Sequence, residues 1–572
     1  MASSSTQRAH GVQPRVPAPW VFAVVREFEV TPSLLQDATN LFVQQLREGL
    51  AQDGSSLLQV PSYVTKLPDG SEKGTCLAID LGGTNLRVCS VELRGDSMYS
   101  VAKTKAAIPV SLMAAQSYKD LFRFVAEHVE EFLLGGQPDG VEDWHWPERI
   151  QEWRNLLEAQ DVTGEFAREH AHPLGFTFSF TFDQHAIDRG TLLHWTKAFT
   201  IKDAVGRDPC AMLQEALDEQ RLPLVVTALV NDTVGTLAAR AYSAGSLGTL
   251  LGAIFGTGTN GAYMERLESI TKLHSQDQFA DPEQRRGQFQ ALNTEWGGFD
   301  GKLEVLPVTP YDAALDRESA NPDDQHFEKR ISGMYLGEIL RLVLVERCGP
   351  GGGLEGLRVP PTSRLFVPNS IDSSFLSALV SDRTAGLDSA RGEIQSALSV
   401  SDVTVADAEP IRAVAEAIGR RAARLSAIAV AGIVIQSGRA NQGNQAAASA
   451  AWGILTSFGL FRAAFLGIVR RFAFWMGFAP AGSPAVPPPS LSARDNGFSQ
   501  EDSTESSTID IGVDGSLFEH FPGFEDNMRA ALREIPAIGL GVEQKIRMGT
   551  AKDGSSVGAA LIAWTVGKSR CS

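Results

Sequence analysis

Apolar and polar residues recur along this chain with two different periods, and the change from one to the other marks its elements. From Trp20 to Leu50, Val24, Phe28, Leu34, Leu35, Leu41, Phe42, Leu46 and Leu50 fall at helical spacing, which predicts one long amphipathic helix or two. The run from Leu77 to Val88 reads as a buried strand ending in Asp80, a sharp turn through Gly82 and Gly83, and a second strand. Tyr118 to Leu134 is helical again, with Leu121, Phe122, Val125, Val129 and Phe132 on one side. The acidic stretch from Gly135 to His172, with Trp144, Trp146 and Trp153, is a surface insertion carrying one helix. Leu174 to Phe180 alternates as a strand should, and Thr191 to Phe199 follows it. Leu224 to Val230 is a continuous apolar run of the parallel, buried kind, and it ends at Asn231-Asp232-Thr233, where a helix begins.

The second half repeats this grammar. Leu250 to Tyr263 is again strand, glycine-rich turn (Gly256-Thr257-Gly258-Thr259) and extended run, now with Asn260 after the turn. Asn293 to Phe299 is a polar, acidic, glycine-tipped loop. Phe327-Glu328-Lys329 opens a helix that runs through Val343. Pro410 to Ser437 forms a long Ala-rich helix with Arg420, Arg421 and Arg424 on its exposed side. Ile509 to Ser516 is a strand and turn, Lys545 to Met548 a last strand, and Asp553-Gly554-Ser555 a turn opening the closing helix. The free N–H groups at that helix start suit a nucleotide.

Two glycine turns after strands can grip one polyphosphate from opposite sides. Glycine lets the backbone approach a ligand where a side chain would collide. Thr84 and Asn85 add small donors, Arg87 adds charge, and Asp80 is placed to hold a hydrated divalent cation. Neither turn has the Gly-Lys-Ser/Thr of a P-loop. A plain hairpin remains the alternative for the first turn, and simple helix capping the alternative for Asp232.

Composition narrows the class. At 572 residues and 43% hydrophobic, the chain can form more than one domain with large cores. A net charge of −17 excludes the basic stripe of a nucleic-acid surface, so an anionic ligand must be held by local amides, a few cations and a metal. Five scattered cysteines without metal-ligand spacing predict a reduced, cytoplasmic setting. Residues 1–19 read as a disordered lead.

In this order the motifs resemble the eukaryotic hexokinase and glucokinase family, most like its fungal members, from about Trp20 to the C-terminus. The resemblance implies an α/β fold of the two-domain, actin-like ATPase (ribonuclease H-like) type with a ligand cleft between the lobes. Asp80, Gly82, Gly83, Thr84, Asn85 and Arg87 match the first phosphate loop, Gly256, Thr257, Gly258 and Thr259 the second, and Asp553, Gly554 and Ser555 the adenosine region. Ser179, Thr196, Lys197, Asn231, Asp232, Asn260, Glu295 and Glu328 match the sugar-contacting positions. A hexose presents hydroxyls that donate and accept, so carboxylates and amides in number make sense there. By the same resemblance Asp232 is the general base, Lys197 stabilises the transferred phosphoryl group, and Asp80 holds Mg²⁺ through water. ATP and a hexose, glucose first, are the expected ligands, with no nucleic acid and no stable membrane span; nothing in the pattern sets an oligomeric state.

The expected domains are an N-terminal helical segment on the large domain (20–75), a small domain (76–232, with the insertion at about 135–172), a large domain (233–554), and a C-terminal helix returning to the small domain (555–572). Three departures stand out. Phe180-Thr181-Phe182-Asp183 lacks the proline usual after Ser179, and Ala198 and Gly261 are mild substitutions. Residues 439–508 are an atypical insertion, Asn/Gln/Ala-rich and then Pro/Ser/Glu/Asp-rich, around an apolar helical pattern from Trp452 to Phe478. Its arginines would cost roughly 2.5–3.5 kcal/mol each inside a bilayer, which argues against a spanning helix. A surface helix is one alternative; an insertion or translated intervening sequence without function is the favoured reading. Two functions follow: a hexokinase feeding glycolysis, favoured by the retained Lys197, Asp232 and turns, or a glucose-sensing regulatory protein on the same fold.

Overall fold

The structure, a computed structural model, describes residues 19–571 apart from 84, 137–143, 160–169, 196–198, 277–278 and 441–507. Two of its sheets repeat one plan. In the first, β2 (Lys73–Leu81), β3 (Asn85–Arg94) and β4 (Tyr99–Ala107) form an antiparallel meander, and β5 (His172–Phe178) and β8 (Leu224–Val230) add in parallel beside β2. In the second, β9 (Thr249–Phe255), β10 (Thr259–Arg266) and β11 (Phe289–Asn293) meander, and β12 (Ile509–Asp514) and β13 (Ile546–Thr550) add in parallel beside β9. The short β1 (Val60–Pro61) extends that sheet beyond β11, and β6 (Thr181–Ala186) pairs with β7 (Arg189–His194) as a separate hairpin. Each meander turns first at its glycines.

Two helices lie between the sheets, and they cross over. The helix after β8, α1 (Asp232–Ala244), packs on the second sheet, where a Cβ on Gly252 of β9 would come within 2.3 Å of the Leu237 backbone. The helix after β13, α2 (Gly554–Cys571), packs on the first sheet, where Gly175 of β5 meets the Ala559 carbonyl in the same way, at 2.2 Å. The two helices touch at Gly235 and Gly558; any side chain at Gly558 would begin 1.8 Å from the Gly235 carbonyl oxygen. Small residues thus set the closest approach of the lobes.

The large-lobe core joins Phe28, Phe42 and Leu46 of the N-terminal helices to Leu251 and Phe255 of β9 and to the long helix Val405–Gln436. The small-lobe core gathers Phe122, Phe176, Phe178 and Leu213. No helix among the described residues is long and apolar enough to cross a membrane.

The stretch from Trp20 to Leu50 takes the two-helix form of its expectation, Pro19–Glu27 and Pro32–Ala51, because Thr31 caps the second by accepting from the Leu34 N–H and Pro32 opens it. The sequence reading needs three corrections. The Ala-rich helix starts at Val405 rather than Pro410, since Thr404 and Asp407 form a capping box, and Pro410 is taken into its second turn. Arg421 is not on the exposed side: it is fully buried, with its guanidinium bidentate on Asp312 at 2.7 and 2.9 Å and over the Phe28 ring. That guanidinium holds the Asp312 carboxyl down at about 2 despite burial. The helix expected from Phe327 through Val343 is two, His326–Ile331 and Gly333–Arg347, broken at Ser332.

Residues 441–507, including Trp452 to Phe478, lie outside the described residues. On either side of them, the Arg439 guanidinium donates to the Leu247 carbonyl at 3.3 Å and the Asp510 N–H to the Gly248 carbonyl at 2.9 Å. Both ends of the tract are therefore tied to one turn.

Candidate active site

The first glycine turn is closed by the Gly82 N–H donating to the Asn85 carbonyl at 3.0 Å. Asp80, 5% exposed on β2, faces Arg87 across the hairpin and accepts from its Nη1 at 2.9 Å on Oδ2. The Ser555 hydroxyl donates to the same oxygen at 3.2 Å, so the start of α2 is tied to the turn's acid. The Ser179 N–H donates to the Leu81 carbonyl at 3.3 Å, and the Thr177 hydroxyl to the Ser555 carbonyl at 3.3 Å. Asp553 adopts a left-handed φ of 56° just before α2 and is bound by Lys103 Nζ of β4 at 2.6 Å. Thr84, Thr196 and Lys197 lie outside the described residues.

The second turn is held differently. The Gly256 N–H donates to the Gly258 carbonyl at 3.0 Å. The outward carbonyls of Gly256 and Thr257 accept the Gly333 and Met334 N–H groups at 2.7 and 3.0 Å. This is what breaks the helix at Ser332: the first free N–H groups of Gly333–Arg347 belong to the turn. Gly515, at φ 120°, packs so tightly on this turn that a Cβ there would lie 2.4 Å from the Phe255 carbonyl.

Beside the second turn the polar residues converge. Glu328 Oε1 accepts the Thr259 N–H at 3.2 Å, and the Thr259 hydroxyl accepts the Trp296 indole N–H at 3.0 Å. Asn260 Nδ2 donates to Asn293 Oδ1 at 2.7 Å and to Glu295 Oε1 at 3.3 Å. Gly261 has to be glycine, because a Cβ there would sit 2.2 Å from the Trp296 ring. Asn231 caps α1, its Oδ1 accepting the Thr233 N–H at 3.0 Å and hydroxyl at 2.6 Å; Asp232 Oδ1 takes the same N–H at 2.9 Å. Ser179, Asn231, Asp232, Asn260, Glu295 and Glu328 are all half-buried, on elements whose neighbours are mostly buried. Such residues are anchored yet open to a ligand.

The head of α1 links the two turns. A Cβ on Gly235, one turn below Asp232, would lie 2.4 Å from the Ser555 carbonyl, whose hydroxyl holds Asp80. On the other side the Thr233 carbonyl is 2.7 Å from where a Cβ on Gly252 of β9 would stand, and β9 leads into the second turn. Two residues escaped the sequence reading. Asn293 bridges Asn260 and Glu295; its signal was the Asn two places before Glu295 in the polar loop. Asp514 ends the parallel strand β12, a position where α/β folds place chemistry. Burial, the Glu519 carboxylate and then those of Asp553 and Asp232 push its carboxyl up to about 6, so these acids share one electrostatic neighbourhood. Surface hollows of about 570 Å³ beside Arg47 and about 400 Å³ beside Arg123 lie elsewhere and are lined by none of these residues.

Two family models, both described as hexokinase, match residues 21–242 and 250–565. This chain belongs to the hexokinase family. It is similar to a glucokinase of Aspergillus niger, at 40% identity over 95% of this chain and 96% of that protein. Glucokinase-1 of Saccharomyces cerevisiae is 33% identical over 94% and 95% of the two chains. Among solved structures, a hexokinase from Schistosoma mansoni complexed with glucose superposes with a TM-score of 0.66 at 28% identity, covering 96% of this chain and 98% of that one. The duplicated sheets with crossing helices are thus the actin-like, two-lobed hexokinase architecture expected from the motifs.

Proposed function

We propose that this hexokinase-family chain transfers the γ-phosphate of ATP to the 6-hydroxyl of a hexose, glucose being favoured. The observation that carries this reading is the junction at the head of α1, where Asp232 stands between a strand entering one glycine turn and a serine bonded to the acid of the other. Asn231, Asn260, Glu295 and Glu328, with Ser179, Thr196 and Lys197, receive the sugar hydroxyls. Asp232 accepts the proton of the attacking hydroxyl, and Lys197 stabilises charge on the transferred group. Gly82, Gly83, Thr84, Asn85 and Arg87 face the triphosphate from the small lobe, Gly256, Thr257, Gly258 and Thr259 from the large one, and Asp553, Gly554 and Ser555 line the adenosine side.

The residues present fit Mg²⁺ bound mainly by phosphates. Among the described residues no group of three carboxylates, histidines or cysteines gathers to hold a metal by itself. Arg87 and Ser555, among the described residues, both bond Asp80 on Oδ2, and Asp80 would hold the ion through water. The ion would neutralise phosphate charge as the hydroxyl attacks.

The same reading divides the chain into a small domain at 76–232 and a large one at 233–554 that carries residues 20–75. Residues 555–572 return to the small domain, a division supported by the contact of Gly175 with Ala559. A cytoplasmic setting belongs with it, since Cys76, Cys89, Cys210 and Cys348 are free thiols. A coupled assay of the full chain with glucose, ATP and Mg²⁺ tests the proposal. Glucose-dependent formation of ADP and hexose 6-phosphate is expected. Calorimetric binding of glucose without turnover would overturn the catalytic reading in favour of a sugar sensor.

A further inference from the structure

Asn293 is the last residue of β11, paired with Ala262 of β10 on one side and Val60 of β1 on the other, and it is 7% exposed. Its side chain bonds only at its two ends among the described contacts. Oδ1 accepts Asn260 Nδ2 at 2.7 Å and the Glu295 N–H at 3.4 Å, and Nδ2 donates to Glu295 Oε1 at 2.5 Å.

The direction of each amide is dictated. Asn260 Oδ1 is committed to the Gly261 N–H at 2.8 Å and the Thr294 hydroxyl at 3.3 Å. A backbone N–H cannot accept, so the oxygen of Asn260 must face Gly261 and its NH₂ must face Asn293. Asn293 then presents oxygen to Asn260 and NH₂ to Glu295, and the only group that satisfies that NH₂ at this distance is an acceptor. Glu295 itself sits at a left-handed φ of 52°, ahead of the turn Trp296–Gly298 that buries the indole. A non-glycine residue held there is strained and needs its surroundings to fix it.

We propose that Asn293 is a positioning residue for sugar binding: its amide aims the Glu295 carboxylate, keeps it as a pure acceptor, and holds Asn260 in register with it. The proposal rests on the reading above, in which Asn260 and Glu295 receive sugar hydroxyls. Asn293 touches the sugar through neither atom; it acts on the two residues that do.

Asn293→Asp is the discriminating variant, since it keeps shape and the bond from Asn260 but sets one carboxylate against another. Two carboxylates at this distance share a proton or repel. The glucose KM of Asn293→Asp is therefore expected about tenfold above wild type near pH 8, falling back toward wild type near about pH 5.5 as the pair takes up a proton. kcat at saturating glucose and the KM for ATP are expected within about threefold of wild type. Glu328 of His326–Ile331 and the neutral Gln325 before that helix face the same turn, Asp232 heads α1, and Glu265 lies along the β10–β11 ladder; wild type measured at the same pH values carries their contribution. In Asn293→Asp/Glu295→Gln the carboxylate and amide exchange places, and the slope with pH should vanish while affinity stays reduced. Asn293→Ala, checked by thermal unfolding to be folded, should raise the glucose KM without a new pH slope.

A flat wild-type-like glucose KM in Asn293→Asp, or wild-type glucose affinity in Asn293→Ala, would overturn the assignment. Failure of the wild-type chain to bind glucose at all would instead overturn the functional reading on which it stands.

Discussion

The two lobes repeat one sheet plan and hold their glycine turns in opposite ways. In the small lobe the turn is held by side chains: Asp80 on Arg87, and Ser555 on Asp80. The Arg87 side chain is 45% exposed while Asp80 is buried, so the guanidinium end of the pair is screened by water and free to turn to another anion. A polyphosphate can take Arg87 from Asp80 at little cost. In the large lobe the turn is held by backbone: two carbonyls on the start of Gly333–Arg347, with Gly515 packed behind. Such a turn is set before any ligand arrives. One lobe offers a rigid seat and the other a grip that re-pairs, a division of work suited to a cleft that closes on its substrate.

The widest expected difference between the lobes is in their response to acid. Burial, with Arg149 nearby, holds the small-lobe His172 down at about 4, against an ordinary 6.5. As pH falls below 6.5 the unfolded chain takes this proton first, so stability is intact above 6.5 and drains away down to about 4. The loss amounts to about 3 kcal/mol. The large-lobe Asp312, held at about 2 against 3.8, keeps its contribution until pH falls below 3.8. Denaturant unfolding between these limits should show the small lobe weakening first, and His172→Gln should flatten the dependence. Equal loss in both lobes would break the contrast.

Next in size is Gly515→Ala. The added Cβ meets the Phe255 carbonyl at 2.4 Å in a conformation that L-residues rarely adopt. Strain of about 2 kcal/mol or more should distort the second turn and raise the KM for ATP about 30-fold, read by steady-state kinetics. The rigid-seat picture fails if ATP affinity is unchanged. Arg87→Ala should cost less, about five- to tenfold in kcat/KM for ATP with a small change in Tm, because water reaches the exposed guanidinium and Ser555 still holds Asp80. A large loss of Tm would mean that the ion pair holds the lobe together. Smallest of all, joining Ala440 to Thr508 through a short glycine linker should leave kcat and KM near wild type, since both ends of the tract reach the turn at Leu247–Gly248.

These contrasts also explain what the sequence made legible. The turns at Gly82 and Gly256 and the helix start at Asp232 were readable because a strand, a turn and the next element are local, and their chemistry sits in adjacent residues. The break at Ser332 was not: the apolar period continues across it, and the cause is a pair of carbonyls more than 70 residues away. Arg421 looked exposed because arginine normally is; its partner Asp312 lies over 100 residues earlier. Asn293 meets Asn260 of another strand, and Asp514 meets Asp553 and Asp232 from elsewhere in the chain, so their type alone gave no role. Local grammar found the site's edges, and tertiary pairing supplied what aims them.

The account depends most on Asp232 taking the proton from the sugar. Asp232→Ala should bind glucose within about tenfold of wild type, measured by calorimetry, while phosphoryl transfer from ATP falls by about a thousandfold or more. Transfer by this variant at the wild-type rate, with glucose bound as before, would contradict it.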